Sequence, residues 1–370
     1  MTRESLSNAD WLRTVDRLGG AELLEEEARE FGAFQRKRKI ECALDHLRLV
    51  LAYCWSRYGL RWAAAWAEAM GLASLSNVAL LKRLRNSVEW LEQLVSRLLG
   101  AGGREAGLAA AKGRLVRLVD ATSVAKAGRA ARESGGRWRI HSVFDLASER
   151  FSAFELTDES EAEVIDRADV VPGEIRVGDR AYLQPDRIAA DLDAGADVVV
   201  RAGWNNARWL DSKGNRLDLI ALLKKSRGKG TIDRPIWIKG SAKKPLALRL
   251  VAIRKPKQAR DLSIDKLKRH ARDKGRNLRP ETLIAAEWVI LVTSLDREEY
   301  PLSAISALYR LRWRIEIAFK HLKSGVGLVG PPGEDQRSAK AHILCTLLLA
   351  LLTEPLIADH LGDSPRRAAA

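Results

Sequence analysis

Residues 114–120 read RLVRLVD, a short aliphatic and β-branched run that ends on a carboxylate, Asp120. Residues 174–179 (EIRVGD) follow Pro172-Gly173 and end the same way, on Asp179. Short apolar runs bounded by turn residues are the pattern of buried strands. In open α/β sheets, ligands and catalytic groups collect at the carboxyl ends of the strands. A single strand-end Asp is commonly a turn former or a helix cap. Two of them on similar strands make a more specific signal.

Outward from this pair the strand pattern continues. Trp138 to Phe144 alternates apolar and polar side chains, and Phe151–Leu156, Ala196–Arg201 (ADVVVR) and Trp288–Thr293 (WVILVT) read as further strands. Residues 1–99 read as helices instead: Glu41–Tyr53 with Leu44, Leu47, Val50 and Leu51 on one stripe, then Arg61–Met70 and Asn77–Leu99. Helix, glycine turn and helix, with Lys82, Arg83 and Arg85 on the second member, suits a helix-turn-helix reader and equally a plain bundle. GAGGREAGLAAAKG (residues 100–113) reads as a joint, and helices close the chain over Leu302–Lys323 and Ser338–His360.

Composition narrows the partners. The 370 residues carry 63 Lys and Arg against 48 Asp and Glu, a net charge of +15. Residues 222–280 hold 20 basic and 4 acidic residues, a net +16, so the remainder is close to neutral. There the basic residues alternate with Trp237, Ile238, Leu246, Leu248, Leu250, Val251 and Ile253, which predicts a folded basic face for a polyanion. Three cysteines outside any CxxC pair exclude a disulfide framework and disfavour structural zinc. The longest apolar run, Ile343–Leu352, is about half a bilayer span. Glu4, Asp10 and Asp16 fall where a signal peptide would be apolar, so the expected setting is the cytoplasm.

Residues 307–323 supply a third carboxylate. At about 100° per residue, Tyr309, Arg312, Glu316, Lys320 and Lys323 fall within about 80° of one another, and Leu308, Leu311, Ile315, Phe319 and Leu322 occupy the adjacent face. Surface pairing at i,i+4 explains the charges, but not the alignment of a tyrosine and two lysines on one Glu. Converging Asp120, Asp179 and Glu316 could not all ionise without a cation. Oxygen donors of this kind select Mg²⁺ or Mn²⁺. Two such ions can activate an attacking oxygen and stabilise the leaving oxygen of a phosphodiester.

At these residues the chain resembles the DDE transposases of the insertion-sequence-four family. Tyr309-x2-Arg312-x3-Glu316-x6-Lys323 matches that family's Y-R-E-K motif. Asp120-Ala-Thr and Gly178-Asp179-Arg180-Ala-Tyr182 look like its first and second aspartate motifs, with Ala181 where the family usually has Gly. The resemblance covers residues from about 40 to 358. It implies an α/β, ribonuclease-H-like catalytic core interrupted by a β-rich insertion domain, with an N-terminal helical domain. It also implies Asp120, Asp179 and Glu316 as catalytic metal ligands, and Tyr309, Arg312, Lys320 and Lys323 on the phosphates of the DNA end. Trp288 would stack on a flipped base or, equally, fill a strand core. In the basic insertion, Lys243, Lys244, Arg254 and Lys257 are the expected backbone contacts.

The expected organisation is a helical, DNA-end-binding region (1–99), a linker (100–113), the core (114–201 and 288–337), the insertion (202–287) and a short C-terminal helical region (338–370). Many members continue beyond this last region with a segment that helps two subunits meet; the expected assembly on DNA is a homodimer. The expected activity is metal-dependent cleavage at transposon ends followed by strand transfer into target DNA. The alternatives are a non-catalytic DNA-binding remnant and a metal-dependent nuclease without strand transfer.

Overall fold

The computed structural model describes residues 8–56, 58–100, 109–126, 136–147, 150–241, 245–312 and 335–361. Its strands are β1 (Val116–Ala125), β2 (Arg137–Asp145), β3 (Arg150–Asp158), β4 (Ile175–Gly178), β5 (Asp197–Arg201), β6 (Arg208–Leu210), β7 (Thr231–Lys239), β8 (Leu246–Arg254) and β9 (Trp288–Thr293). They form one mixed sheet in the order β3-β2-β1-β4-β5-β9-β8-β7-β6. β1, β2 and β3 make an antiparallel meander, β4 and β5 join parallel to β1, and β9 returns antiparallel to β5. Hydrogen bonding is continuous from β5 through β9 into β8, so the basic segment extends the same sheet.

Alternation along the strands sorts the core to two faces. On β5, Val199 faces one side while Val198 and Val200 face the other, and Leu291 opposes Ile290 and Val292 on β9 in the same way. The Val199 face is covered by α1 (Asn8–Arg17), α2 (Ala21–Glu30), α3 (Ala43–Ser56), α4 (Leu60–Ala69), α5 (Asn77–Asn86) and α6 (Val88–Gly100) together with later helices. The other face carries α7 (Pro185–Asp193), α8 (Leu219–Lys225) and, beyond α9 (Lys257–Asp273), α10 (Pro280–Ala286); α9 packs against α10 and buries only Ala271.

α11 (Leu302–Leu311) and α12 (Gln336–Leu361) complete the first face. Ile343–Leu352, the longest apolar run, is buried on every side of α12, as a helix hydrophobic all round must be. No described helix is long and apolar enough to cross a membrane. The Arg17 guanidinium donates to the Leu352 carbonyl at 2.6 Å, and Arg85 Nε donates to Ser338 Oγ at 2.8 Å. The N-terminal helices therefore share one core with α12 and the sheet.

Three sequence expectations change. β1 does not stop at Asp120 but runs on to Ala125, because β2 pairs with it along that whole length. The helix expected over Asn77–Leu99 breaks at Ser87, whose hydroxyl donates to the Arg83 carbonyl at 2.9 Å and meets His46 Nε2 at 2.8 Å. The strand pattern of the basic segment holds over β7 and β8, but residues 257–273 form the helix α9, exposed along most of its length. On α5, Arg85 is engaged by Ser338 and Asp335 and Arg83 lies over the Phe34 ring, which supports the bundle reading of that helix pair.

Candidate active site

The two strand-borne carboxylates meet through register. Parallel pairing sets Leu118 of β1 beside Val177 of β4. Two residues further along each chain stand Asp120 and Asp179, at one level on neighbours about 4.8 Å apart. β4 ends at Gly178 while β1 continues, so Asp120 sits mid-strand at the point where its parallel partner turns away. There Asp179 leads into a single 3-10 turn, Arg180–Tyr182, closed by the Tyr182 amide donating to the Asp179 carbonyl at 3.0 Å.

β5 adds a cation at the same level. Gly178 pairs with Val200, so Arg201 stands beside Asp179, with Nη1 3.8 Å from Oδ1. Nothing in the sequence reading marked Arg201; its strand-end position, the same as that of Asp179, was the available signal. Lys255, just past β8, lies behind Arg201 and Arg180 and donates to Ser263 Oγ and the Ala286 carbonyl, each at 2.9 Å. Burial, then Arg201 and Arg180, push its ammonium pKa down to about 8.

α11 closes the site from the other side. Ile305, Leu308 and Leu311 bury its inner face, leaving Tyr309 and Arg312, three residues apart, on one flank. The Tyr309 hydroxyl makes a long hydrogen bond, 3.5 Å, to Asp179 Oδ1. Burial first of all raises the Tyr309 pKa, so the phenol stays a neutral donor. Arg312, 4% exposed, directs Nη1 to Asp120 Oδ1 at 3.0 Å, and its guanidinium lies 5.5 Å from the centre of the Tyr309 ring. Asp120 also accepts, through its backbone carbonyl, from Ser142 Oγ on β2 at 3.2 Å.

Asp120, Asp179, Tyr309 and Arg312 are thus brought together. Glu316, Lys320 and Lys323 lie outside the described residues, as do Lys243 and Lys244. Trp288 is 2% exposed within the second core face, so the structure gives it the strand-core position of the two readings. Arg254 is tied to Glu287 at 2.9 Å and to the Arg227 carbonyl at 3.1 Å, in a cluster where Glu287 also meets Arg227 and Arg260. Lys257 is exposed at the start of α9.

Two carboxylates at one level, met by Arg201 and Arg312, offer hard oxygen donors for a divalent cation and cationic donors for phosphate. The donor chemistry fits such an ion. Among the described residues no group of three His, Cys, Asp or Glu side chains gathers into a metal site.

Comparison with known proteins places the chain in a family. Residues 111–352 match the family described as Transposase DDE domain, which generally uses divalent metal ions. The chain is 37% identical over 367 residues to the putative transposase InsL for insertion sequence element IS186A of Escherichia coli (strain K12), covering 98% of each. It is also 37% identical over 368 residues to the transposase for insertion sequence element IS421 of Escherichia coli, again covering 98% of each. The chain belongs to the DDE transposases of the insertion-sequence-four family.

Proposed function

We propose that Asp120, Asp179 and Glu316 are the catalytic carboxylates of this DNA transposase, and that Tyr309, Arg312, Lys320 and Lys323 hold the phosphates of the transposon end. The observation that carries the reading is the level placement of Asp120 and Asp179 on adjacent parallel strands, with Tyr309 of α11 and Arg312 at its C-terminal cap on them. Arg201 joins the phosphate side of the site.

Asp120, Asp179 and Glu316 would hold two Mg²⁺ or Mn²⁺ ions. When bound, these would supply a lowered pKa for the attacking water or 3′-hydroxyl and charge neutralisation at the leaving oxygen. The chain's own work is positioning. Rigid strands fix Asp120 and Asp179 within a sheet, where a shift of an ångström would cost much of the rate. Tyr309 donates a neutral hydrogen bond, and the guanidiniums of Arg312 and Arg201 supply charge-assisted donors to non-bridging phosphate oxygens.

The rest of the DNA lies along the basic extension of the sheet, chiefly α9 and the turn after it. Over 257–279 that segment carries nine Lys and Arg and three Asp, with most cations exposed. The N-terminal helices bind the element end, two copies meet on the DNA, and the reaction takes place on the nucleoid in the cytoplasm. Incubating the full chain with a duplex carrying its element's ends and Mg²⁺, then mapping the breaks, tests the proposal. Asp120→Asn, Asp179→Asn and Glu316→Gln should each abolish cleavage and leave DNA retention near wild type. Cleavage by Glu316→Gln at the wild-type rate would remove Glu316 from the ligand set.

A further inference from the structure

We infer that Arg312 is the resting counter-ion of the cation site, so that this chain takes up a divalent cation and a DNA phosphate as linked ligands. The inference rests on the assignment of Asp120 as a cation ligand. Its basis is the ion pair between Arg312 Nη1 and Asp120 Oδ1, 3.0 Å long, with side chains only 5% and 12% exposed. A guanidinium so placed engages Oδ1, one of the two oxygens that a divalent ion would use. It also keeps a positive charge within a few ångströms of where the ion would sit, in surroundings that screen charge poorly.

The geometry of α11 makes the pair exchangeable. Arg312 follows Leu311, the last residue of the helix, while Ile305, Leu308 and Leu311 anchor the helix to the sheet. The guanidinium can therefore leave Asp120 for another anion without unseating α11. A phosphodiester is that anion: it accepts a bidentate guanidinium pair as well as a carboxylate does. Tyr309 repeats the arrangement more loosely, reaching Asp179 at 3.5 Å.

Two ligands that compete with one internal ion pair must favour each other. Phosphate draws Arg312 off Asp120 and opens the carboxylate, and a cation on Asp120 releases Arg312 to phosphate. By linkage, each raises the other's affinity by the same factor. The ligands therefore load together, and bare protein holds the cation weakly.

The test is Mn²⁺ binding to the full-length chain, followed by electron paramagnetic resonance of free Mn²⁺, alone and with a duplex carrying the element's terminal sequence, after subtracting the duplex-only titration. Wild type should bind Mn²⁺ at least fivefold more tightly with the duplex, the low end of coupling between linked ligands. Arg312→Gln should bind Mn²⁺ alone on the order of tenfold more tightly than wild type and lose most of the dependence on DNA. Arg312→Lys, which keeps the charge but loses the paired guanidinium donors, should bind Mn²⁺ alone as weakly as wild type. If wild type shows the same affinity with and without duplex, the inference is overturned, and that measurement needs no variant to fold. If Arg312→Gln binds Mn²⁺ no better than wild type while Asp120→Asn loses binding, the counter-ion role fails and the ligand assignment stands. If Asp120→Asn binds Mn²⁺ as wild type does, the ligand assignment itself is wrong.

Discussion

Gly178 lies against the ring of Tyr182: a Cβ at position 178 would stand 3.0 Å from Tyr182 Cδ2 and 3.1 Å from its Cβ and Cγ. Tyr182 is 2% exposed and packs in the second core face, so it has little room to give. The residue pressed by that contact is the neighbour of Asp179. Gly178→Ala should therefore displace the carboxylate more than it harms the fold. The expected result is a fall in end cleavage of at least tenfold, with circular dichroism and DNA retention close to wild type. Unchanged cleavage would mean that the turn absorbs the methyl group elsewhere.

Behind the same strand, Arg176 is fully buried and holds several elements at once. Its Nε donates to Glu174 Oε1 at 2.6 Å, Nη1 to the Ile165 carbonyl at 3.0 Å and to Asp191 Oδ1 at 3.2 Å, and Nη2 to the Ala168 carbonyl at 2.6 Å. Arg117 Nη1 meets the other Glu174 oxygen at 2.9 Å. Removing one partner of a buried pair leaves an uncompensated charge, a loss of about 3–5 kcal/mol. Arg176→Met should lower the unfolding free energy from urea titration by that amount. A drop under about 1 kcal/mol, the range of exposed pairs, would show that water already screens the cluster.

How much of this was legible in the sequence varies with what each feature depends on. The core strands announce themselves by local apolar runs, and the covering helices by their stripes. The level placement of Asp120 and Asp179 depends on the parallel register between β1 and β4, which no local signal carries. The helix break at Ser87 depends on His46, 41 residues away in sequence. α9 escaped because it has no apolar stripe to read, with Ala271 its one buried side chain. Trp288 could be given either place from sequence alone, since a tryptophan opening an apolar strand suits a core as well as a base. A strand ending in arginine is common, and only the neighbouring Asp179 gives Arg201 meaning.

Three histidines held neutral by burial contribute stability that acid removes. Burial pushes His46 down to about 3 and His342 to about 4; His141 falls to about 4 by burial, then by the charges of Arg167 and Arg139. Their pKa in the unfolded chain is about 6.5, so between about pH 6.5 and 4 the unfolded chain takes up protons that the folded chain refuses. Stability contributed by the neutral imidazoles is full above pH 6.5 and is lost as pH falls toward 4. The melting temperature should thus be lower at pH 5 than at pH 7. His342→Phe, which keeps a ring near Tyr53 but cannot titrate, should narrow that difference. An equal difference in the variant would place the acid sensitivity elsewhere.

The basic segment makes a sharper claim now that its second half is known to be helical. Lys266, Lys268, Arg269 and Arg272 are exposed on α9, whereas Arg254 is bound to Glu287 at 2.9 Å and helps hold α10 and β9 in place. If α9 follows a DNA backbone, each phosphate it neutralises contributes roughly −0.9 to the slope of log affinity against log salt. Exchanging the four α9 cations for Gln should then flatten the slope by up to about 3.6. It should weaken element ends and unrelated duplex alike, because phosphate contacts position DNA without reading it. Arg254→Gln should behave in the opposite way. It should lower thermal stability by removing one of the arginines on Glu287 while leaving the salt slope nearly unchanged. A slope that responds to Arg254→Gln and not to the α9 exchange would move the DNA track from the helix to the strands, and α9 would then be a solvated surface helix held on by Ala271 and the α10 contact.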